Sequence, residues 1–180
     1  MDAASTNRPL TMAFAVTWDV DSMHSLKQNK DNLDIVIPDW LNLLPDGKID
    51  LPMFSRQLEI SGMLASAPAG PKLVPLLTNY DGDKGRPSKE TWNLLVSLPA
   101  RARIIEGLLQ YTSSIPVYGF CIDFGDIPPD KINNYTAFIR ELAERLHDGR
   151  TVLYVCVPAY LKAPVCRLIA QTADMVILMA

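Results

Sequence analysis

Short apolar segments alternate with amphipathic segments along most of this chain, and this alternation limits the possible folds more than any other feature. The predicted strands cover residues 12–19, 33–43, 72–80, 117–123, 151–157 and 174–179. The predicted helices cover residues 22–33, 52–67, 88–97, 99–111, 135–146 and 163–173. Strands and helices in repeated order predict a parallel sheet with right-handed crossover connections. The sequence therefore predicts the α/β class.

The helix after the fourth strand has the most regular apolar pattern. Its apolar side chains recur every three or four residues, at Tyr135, Phe138, Ile139, Leu142 and Leu146. This spacing places them on one face, which predicts a helix packed against the sheet. Gly149 follows at the position where a left-handed C-terminal cap is expected.

Length and charge exclude several classes of protein. With 180 residues the chain can bury one core, but it is shorter than the roughly 250 residues of a complete eight-stranded α/β barrel. A formal net charge of -3 without a Lys/Arg cluster argues against a nucleic-acid partner. No apolar run approaches the ~18 residues of a membrane span, so membrane insertion is not expected. Residues 1–11 are predicted to form a flexible tail before one domain over residues 12–180.

Polar and aromatic side chains stand where several predicted strands end. They are Trp18, Asp19, Asp39, Trp40, Asn79, Tyr80 and Asp123. In an α/β barrel the carboxyl ends of the strands converge on one rim, so these residues are predicted to line a single cleft. The three aromatic residues are predicted to be exposed there and to stack on sugar rings. Two alternatives remain open, because Asp and Asn also begin turns and tryptophan also fills cores.

The segment 117–126, VYGFCIDFGD, is an apolar strand that ends in carboxylates. Side chains alternate along a strand, so Cys121, Asp123 and Gly125 share one face and Asp126 lies on the other. A working pair of carboxylates would need a second acid in place of Gly125. Asp126 is a weak substitute acid, and it would face inward only if Gly125 formed a bulge. The sequence thus predicts a site that lacks its catalytic acid.

Neither a cofactor nor a metal ion is expected from the side chains present. Cys121, Cys156 and Cys166 lack CxxC or Cys/His spacing, so buried free thiols are favoured over a disulfide. The chain contains no Gly-rich phosphate loop. The acidic segment 81–85 does not have the spacing of an EF-hand, and it is predicted to be a flexible loop over the cleft.

The strand ends resemble the glycoside hydrolase family 18 (chitinase-like) barrel. The resemblance covers residues 12–180 and rests on WD after the first strand, LDIVIPDWLNL, Asn79, YGFCIDFGD and the closing DMVILMA. It is greatest for the chitinase-like domains fused to bacterial polysaccharide deacetylases and family 2 glycosyltransferases. The fold that it implies is a partial (β/α)8 TIM-type barrel with about six parallel strands.

The family signature on the fourth strand is DGxDxDxE, in which the last residue is the general acid. It aligns with residues 118–125, where only Gly119 and Asp123 match. The resemblance makes Asp123 the carboxylate that orients the acetyl group of the substrate. Cys121 replaces the inner Asp, and Gly125 replaces the acid. A positioned acid contributes roughly 10²- to 10⁴-fold to the rate, so the resemblance implies a catalytically impaired domain.

The resemblance also implies a partner and a location. The partner is a polysaccharide or oligosaccharide that contains N-acetylglucosamine, and the location is the bacterial envelope. Three functions fit: an impaired hydrolase, a non-catalytic carbohydrate-binding or scaffolding module, and an unrelated metabolic α/β-barrel enzyme. Six strands cannot close such a barrel, so the remaining strands are expected from a longer chain or a second subunit.

Overall fold

The computed structural model describes residues 8–66 and 70–179. Its strands are β1 (Met12–Ala15), β2 (Ile35–Leu43), β3 (Ile49–Asp50), β4 (Lys72–Leu73), β5 (Leu76–Thr78), β6 (Tyr80–Asp81), β7 (Arg86–Pro87), β8 (Gly119–Asp123), β9 (Val152–Pro158) and β10 (Met175–Met179). Its α-helices are α1 (Val20–Asn29), α2 (Phe54–Ala65), α3 (Glu90–Val96), α4 (Leu98–Ser114), α5 (Ile132–Asp148) and α6 (Ala163–Ala170). Short 3-10 turns follow at Lys30–Asn32 and Pro129–Lys131.

The main sheet has the strand order β1-β2-β5-β8-β9-β10, and every neighbouring pair in it is parallel. The sheet curls into half a barrel, with helices packed on its outer face. Strands β4 and β5 both pair with β2, and together they form the predicted third strand, interrupted at Pro75. Proline has no N–H to donate, which explains the interruption. The predicted fold class, a partial TIM-type barrel, is confirmed.

Strand alternation divides the apolar side chains between two faces of the sheet. The outer face, with Phe120, Ile122 and Val155, packs against the helices in the larger core. The inner face carries a second cluster, which includes Ile37 and Cys121. The apolar face predicted for α5 is confirmed, because all five of its side chains are buried. The helices therefore cover the outer face of the sheet, and the inner face has a separate cluster of apolar side chains.

Close packing between two strands depends on Gly119, at the start of β8. A Cβ atom built there would overlap the backbone carbonyl oxygen and the Cγ2 atom of Val152 on β9. Gly119 and Val152 are paired in the sheet register. Only glycine therefore lets β8 and β9 approach each other at this point.

Some local predictions were wrong. The first strand is shorter than predicted, because Asp19 is the N-cap of α1 and accepts a hydrogen bond from the backbone N–H of Ser22 at 2.8 Å. Gly149 does not adopt the left-handed conformation, and Arg150 does so instead, with φ 58. The predicted tail lies partly outside the described residues, and Arg8 within it forms a salt bridge with Asp34.

The segment from β6 to β7 forms an antiparallel hairpin that the sequence did not reveal. Tyr80 pairs with Pro87, and Asp81 pairs with Arg86. The turn is the predicted loop 81–85, where Lys84 forms a salt bridge with Asp81 at 2.7 Å. The hairpin lies beside the carboxyl ends of β5 and β8, which places it at the edge of the candidate site.

Candidate functional site

A cavity of about 610 Å³ lies at the carboxyl ends of the strands, and we call it the strand-end cleft. Its walls include Trp18, Asp39, Trp40, Asn42, Tyr80 and Asp123. These residues come from the ends of β1, β2 and β8 and from the hairpin. Parallel strands place distant parts of the sequence together at this rim, which is where barrels of this kind have their binding sites.

Two carboxylates face this cleft from separate strands. Asp39 follows Ile37 on the inner face of β2, and Asp123 follows Cys121 on the inner face of β8. Within residues 8–66 and 70–179 neither carboxylate has a hydrogen bond or a salt bridge. Burial raises the pKa of Asp123. Burial, and then the charge of Asp123, raise the pKa of Asp39.

These raised pKa values predict how stability depends on pH. A folded-state pKa above the unfolded value means that the folded protein binds the proton more tightly. The contribution of this proton binding to the free energy of unfolding is present at low pH and is lost as pH rises through the folded pKa. Asp39→Asn removes the cost of the charge, so we expect it to raise the free energy of unfolding at pH 7 and not at pH 3. Urea unfolding at both values measures the difference. The exposed Asp83→Asn is the control, and an equal gain at both pH values would contradict the explanation.

A β-bulge at Trp40 determines which residues of β2 face the cleft. The pairing of β2 with β5 shifts between Asp39 and Leu41. Because of this extra residue, Asn42 lies on the cleft side, while Leu43 packs into the core and Leu41 contacts both the core and the cleft. Trp40 is only 1% exposed, so its predicted exposure was wrong.

The other two aromatic residues are exposed, as predicted. Trp18 is 60% exposed and Tyr80 is 48% exposed, and both line the cleft. Exposed aromatic rings at the edge of a concave site can pack against the apolar C–H faces of a sugar. The cleft thus combines aromatic edges with carboxylates at its base.

Asn79 lies behind the cleft wall and holds the end of β8. Its side-chain oxygen accepts a hydrogen bond from the backbone N–H of Gly125 at 3.0 Å. Its side-chain nitrogen donates to the backbone oxygens of Gly125 and Ser88, both at 3.4 Å. Asn79 is 1% exposed and is not among the residues that line the cleft. Asn79 therefore links the segment after β5 to the segment after β8.

The space beside Gly125 is occupied by the hairpin. A Cβ atom at this position would lie 2.7 Å from Cγ of Pro87 and 3.4 Å from its Cβ. A side chain at position 125 therefore does not fit unless Pro87 moves. The hairpin therefore occupies the space next to the position at which the sequence resemblance predicts an acid.

Two other predicted residues lie outside the cleft walls. Asp19 caps α1 and is exposed. Asp126 is exposed, with φ 57, and is not among the lining residues. The structure thus brings Trp18, Asp39, Trp40, Tyr80 and Asp123 together and leaves Asp19, Asn79 and Asp126 apart. Sequence reasoning missed Asn42, because nothing in the sequence marks the bulge that turns it inward.

Other features of the described residues do not suggest a competing site. A larger cavity of about 720 Å³ lies between the 46–51 turn and α4, and it has no strand-end carboxylates. No group of three or more His, Cys, Asp or Glu side chains within residues 8–66 and 70–179 is placed to hold a metal ion. No helix in this part of the chain is long and apolar enough to cross a membrane.

No protein-family model and no curated protein matches the chain. Solved structures do match it. A class V chitinase from Pseudomonas fluorescens Pf-5 has a TM-score of 0.86 at 20% identity, over 96% of this chain and 54% of that one. The spore cortex-lytic enzyme SleL from Bacillus cereus has a TM-score of 0.81 at 16% identity, over 94% and 40%. The Group IV chitinase of Ostrinia furnacalis in complex with allosamidin has a TM-score of 0.77 at 15% identity, over 96% and 51%.

These matches establish the fold of the chain. The described half-barrel has the fold of chitinases and of a spore cortex-lytic enzyme, so the chitinase-like resemblance is confirmed at the level of the fold. The chain spans about half the length of the solved structures that it matches.

Proposed function

We propose that the strand-end cleft binds oligosaccharides that contain N-acetylglucosamine and that the chain hydrolyses them poorly or not at all. The observation that carries the proposal is Asp123 on the inner face of β8, in a cleft edged by Trp18 and Tyr80, within a chitinase fold. Function depends on the residues of the site, and the fold alone would not support it. The allosamidin complex of a chitinase with this fold favours the same class of ligand.

Three residues of the cleft have a role in this proposal. Trp18 and Tyr80 pack against the faces of sugar rings. Asp123 accepts a hydrogen bond from the N–H of an acetamido group and so orients its carbonyl oxygen towards the anomeric carbon. Hydrolysis would also need a proton on the leaving oxygen, and Gly125 cannot supply one. The chain therefore retains the orienting group without the general acid.

The proposal extends to the context implied by the sequence resemblance. A non-catalytic module of this kind would hold a glycan for polysaccharide deacetylase or glycosyltransferase domains at the bacterial envelope. An unrelated metabolic barrel enzyme is less well supported, because the cleft has aromatic edges and two carboxylates where such an enzyme would bind a phosphate.

Binding is tested by titrating tetra-N-acetylchitotetraose and measuring heat or tryptophan fluorescence. We expect Asp123→Ala to weaken binding about tenfold, because it removes a hydrogen bond to a charged acceptor worth about 1.5 kcal/mol or more. Asp126→Ala removes a neighbouring carboxylate outside the cleft and should leave the affinity unchanged. Equal losses for both variants, or no binding by the unchanged chain, would refute the proposal. If the unchanged chain hydrolysed a chromogenic chitobioside and Asp123→Asn abolished this turnover, the proposed catalytic impairment would be refuted. The proposed binding would not be.

A further inference from the structure

The amide group of Asn79 joins three segments of the chain just outside the strand-end cleft. Its oxygen accepts a hydrogen bond from the backbone N–H of Gly125 at 3.0 Å, and its nitrogen donates to the backbone oxygens of Gly125 and Ser88, both at 3.4 Å. The backbone N–H of Ser88 donates in return to the backbone oxygen of Asn79 at 2.7 Å. The end of β5, the residue after the hairpin and the segment after β8 therefore meet at one buried side chain.

The hairpin of β6 and β7 also packs against the segment after β8. It begins directly after Asn79, with Tyr80, and it ends directly before Ser88, with Pro87. The bonds of Asn79 therefore hold both ends of the hairpin. A Cβ atom built at Gly125 would lie 2.7 Å from Cγ of Pro87, so the hairpin lies directly against the backbone of Gly125. These contacts fix the position of the hairpin relative to the end of β8.

This position matters because the two segments carry different contact points of the same cleft. Tyr80 is the first residue of the hairpin, Asp123 is the last residue of β8, and both line the strand-end cleft. The groups of a binding site have to be held within about 0.5 Å of their productive positions, and residues behind them supply that support. A ligand that contacts Tyr80 and Asp123 at once therefore depends on the spacing between them.

We infer that Asn79 is a positioning residue, which does not contact the ligand and fixes Tyr80 relative to Asp123. Asparagine suits this place because its short side chain offers an acceptor and two donors. Aspartate has no donor for the two backbone oxygens, and alanine offers neither kind of group. The inference rests on the proposed function, in which Tyr80 packs against a sugar ring and Asp123 accepts from an acetamido group.

A double-mutant cycle separates positioning from a general loss of stability. We expect Tyr80→Ala and Asn79→Ala each to weaken the binding of tetra-N-acetylchitotetraose about fivefold, measured by calorimetric titration of variants that are folded by circular dichroism. The double variant should bind as weakly as Tyr80→Ala alone, to within about twofold, because the spacing of two contacts has no effect once one of them is gone. Losses that multiply to about 25-fold in the double variant would overturn the inference.

Asp174 provides a matched control at the opposite end of the sheet. Its side chain accepts a hydrogen bond from the backbone N–H of Leu153 at 2.8 Å. Like Asn79 it holds the backbone of a distant segment, but it lies at the amino ends of β9 and β10 and is not among the residues that line the cleft. Asp174→Ala should therefore lower the stability and leave the affinity unchanged. Equal losses of affinity in Asp174→Ala and Asn79→Ala would contradict a positioning role.

Hydrogen exchange in the unchanged chain gives a result even if the Asn79 variant does not fold. Ser88 and Gly125 are not among the residues that line the cleft. Saturating chitotetraose should nevertheless slow the exchange of their backbone N–H groups about tenfold, because a ligand that bridges the hairpin and β8 holds them together. The N–H of Leu153 should change less than about twofold. No change at Ser88 and Gly125, or an equal change at all three groups, would refute the positioning.

The free protein separates this inference from the proposed function. A chain that binds no oligosaccharide refutes the proposed function, and the positioning role is then judged without a ligand. Asn79→Ala should move the backbone amide resonances of both Arg86 on β7 and Asp123 on β8, whereas Asp174→Ala should move neither. If both resonances stay in place in Asn79→Ala, the positioning role is wrong as well.

Discussion

Gly125→Glu combined with Pro87→Gly is expected to raise the turnover of a chromogenic chitobioside by about 10²- to 10⁴-fold over the unchanged chain. This is the contribution of a positioned general acid, which under the proposed function is missing at the end of β8. Asp123 would orient the acetamido group, and the new carboxyl group would protonate the leaving oxygen. The measurement is the initial rate of chromophore release by the purified double variant.

Pro87→Gly is needed because Pro87 occupies the space beside position 125. A Cβ atom at position 125 lies 2.7 Å from Cγ of Pro87, so Gly125→Glu alone must displace the hairpin and is expected to leave turnover unchanged. The matched control is Gly125→Gln with Pro87→Gly, because a glutamine side chain has the size of glutamate but no acid. Equal gains for the Glu and Gln variants would contradict a general-acid role.

Gly119→Ala is expected to lower the free energy of unfolding by about 3 kcal/mol. The added methyl group would overlap the backbone of Val152, and a backbone atom cannot turn away as a side chain can. The neighbouring strands β8 and β9 would have to separate where Gly119 pairs with Val152. For a domain of this size the loss corresponds to a fall in Tm of about 6–12 °C, measured by calorimetry or circular dichroism.

Gly62→Ala is the control for this prediction. Gly62 lies in α2, and a Cβ atom there meets nothing within 4 Å. Alanine is the better helix former by about 1 kcal/mol, so this variant should be as stable as the unchanged chain or more so. If Gly119→Ala proved as harmless as Gly62→Ala, the close approach of β8 and β9 would not be the reason for the glycine.

Much of the fold could be predicted from local patterns. The period of the apolar residues in α5 and the alternation in β8 depend only on residues near one another in sequence. These patterns located the main elements to within a few residues, and they placed Asp123 on the same face as Cys121. The inner position of Asp123 therefore followed from the sequence once the strand was recognised.

The details of the site were harder to predict, because they depend on contacts between distant segments. The bulge at Trp40 arises in the pairing of β2 with β5, and it buries a ring that was expected to be exposed. Asn79 was expected in the cleft, but its amide instead bonds the backbone of Gly125, a residue 46 positions away. Neither contact can be predicted from a local sequence pattern.

The sequence by itself determined the βα order, the inner face of β8 and the absence of an acid at Gly125, because periodicity and residue identity are local properties. Only the tertiary structure decided that Pro87 fills the space beside Gly125 and that Trp40 and Asn42 share one wall of the cleft. These facts depend on the register between strands and on the position of a hairpin. Both are set by the packing of segments that are far apart in the chain.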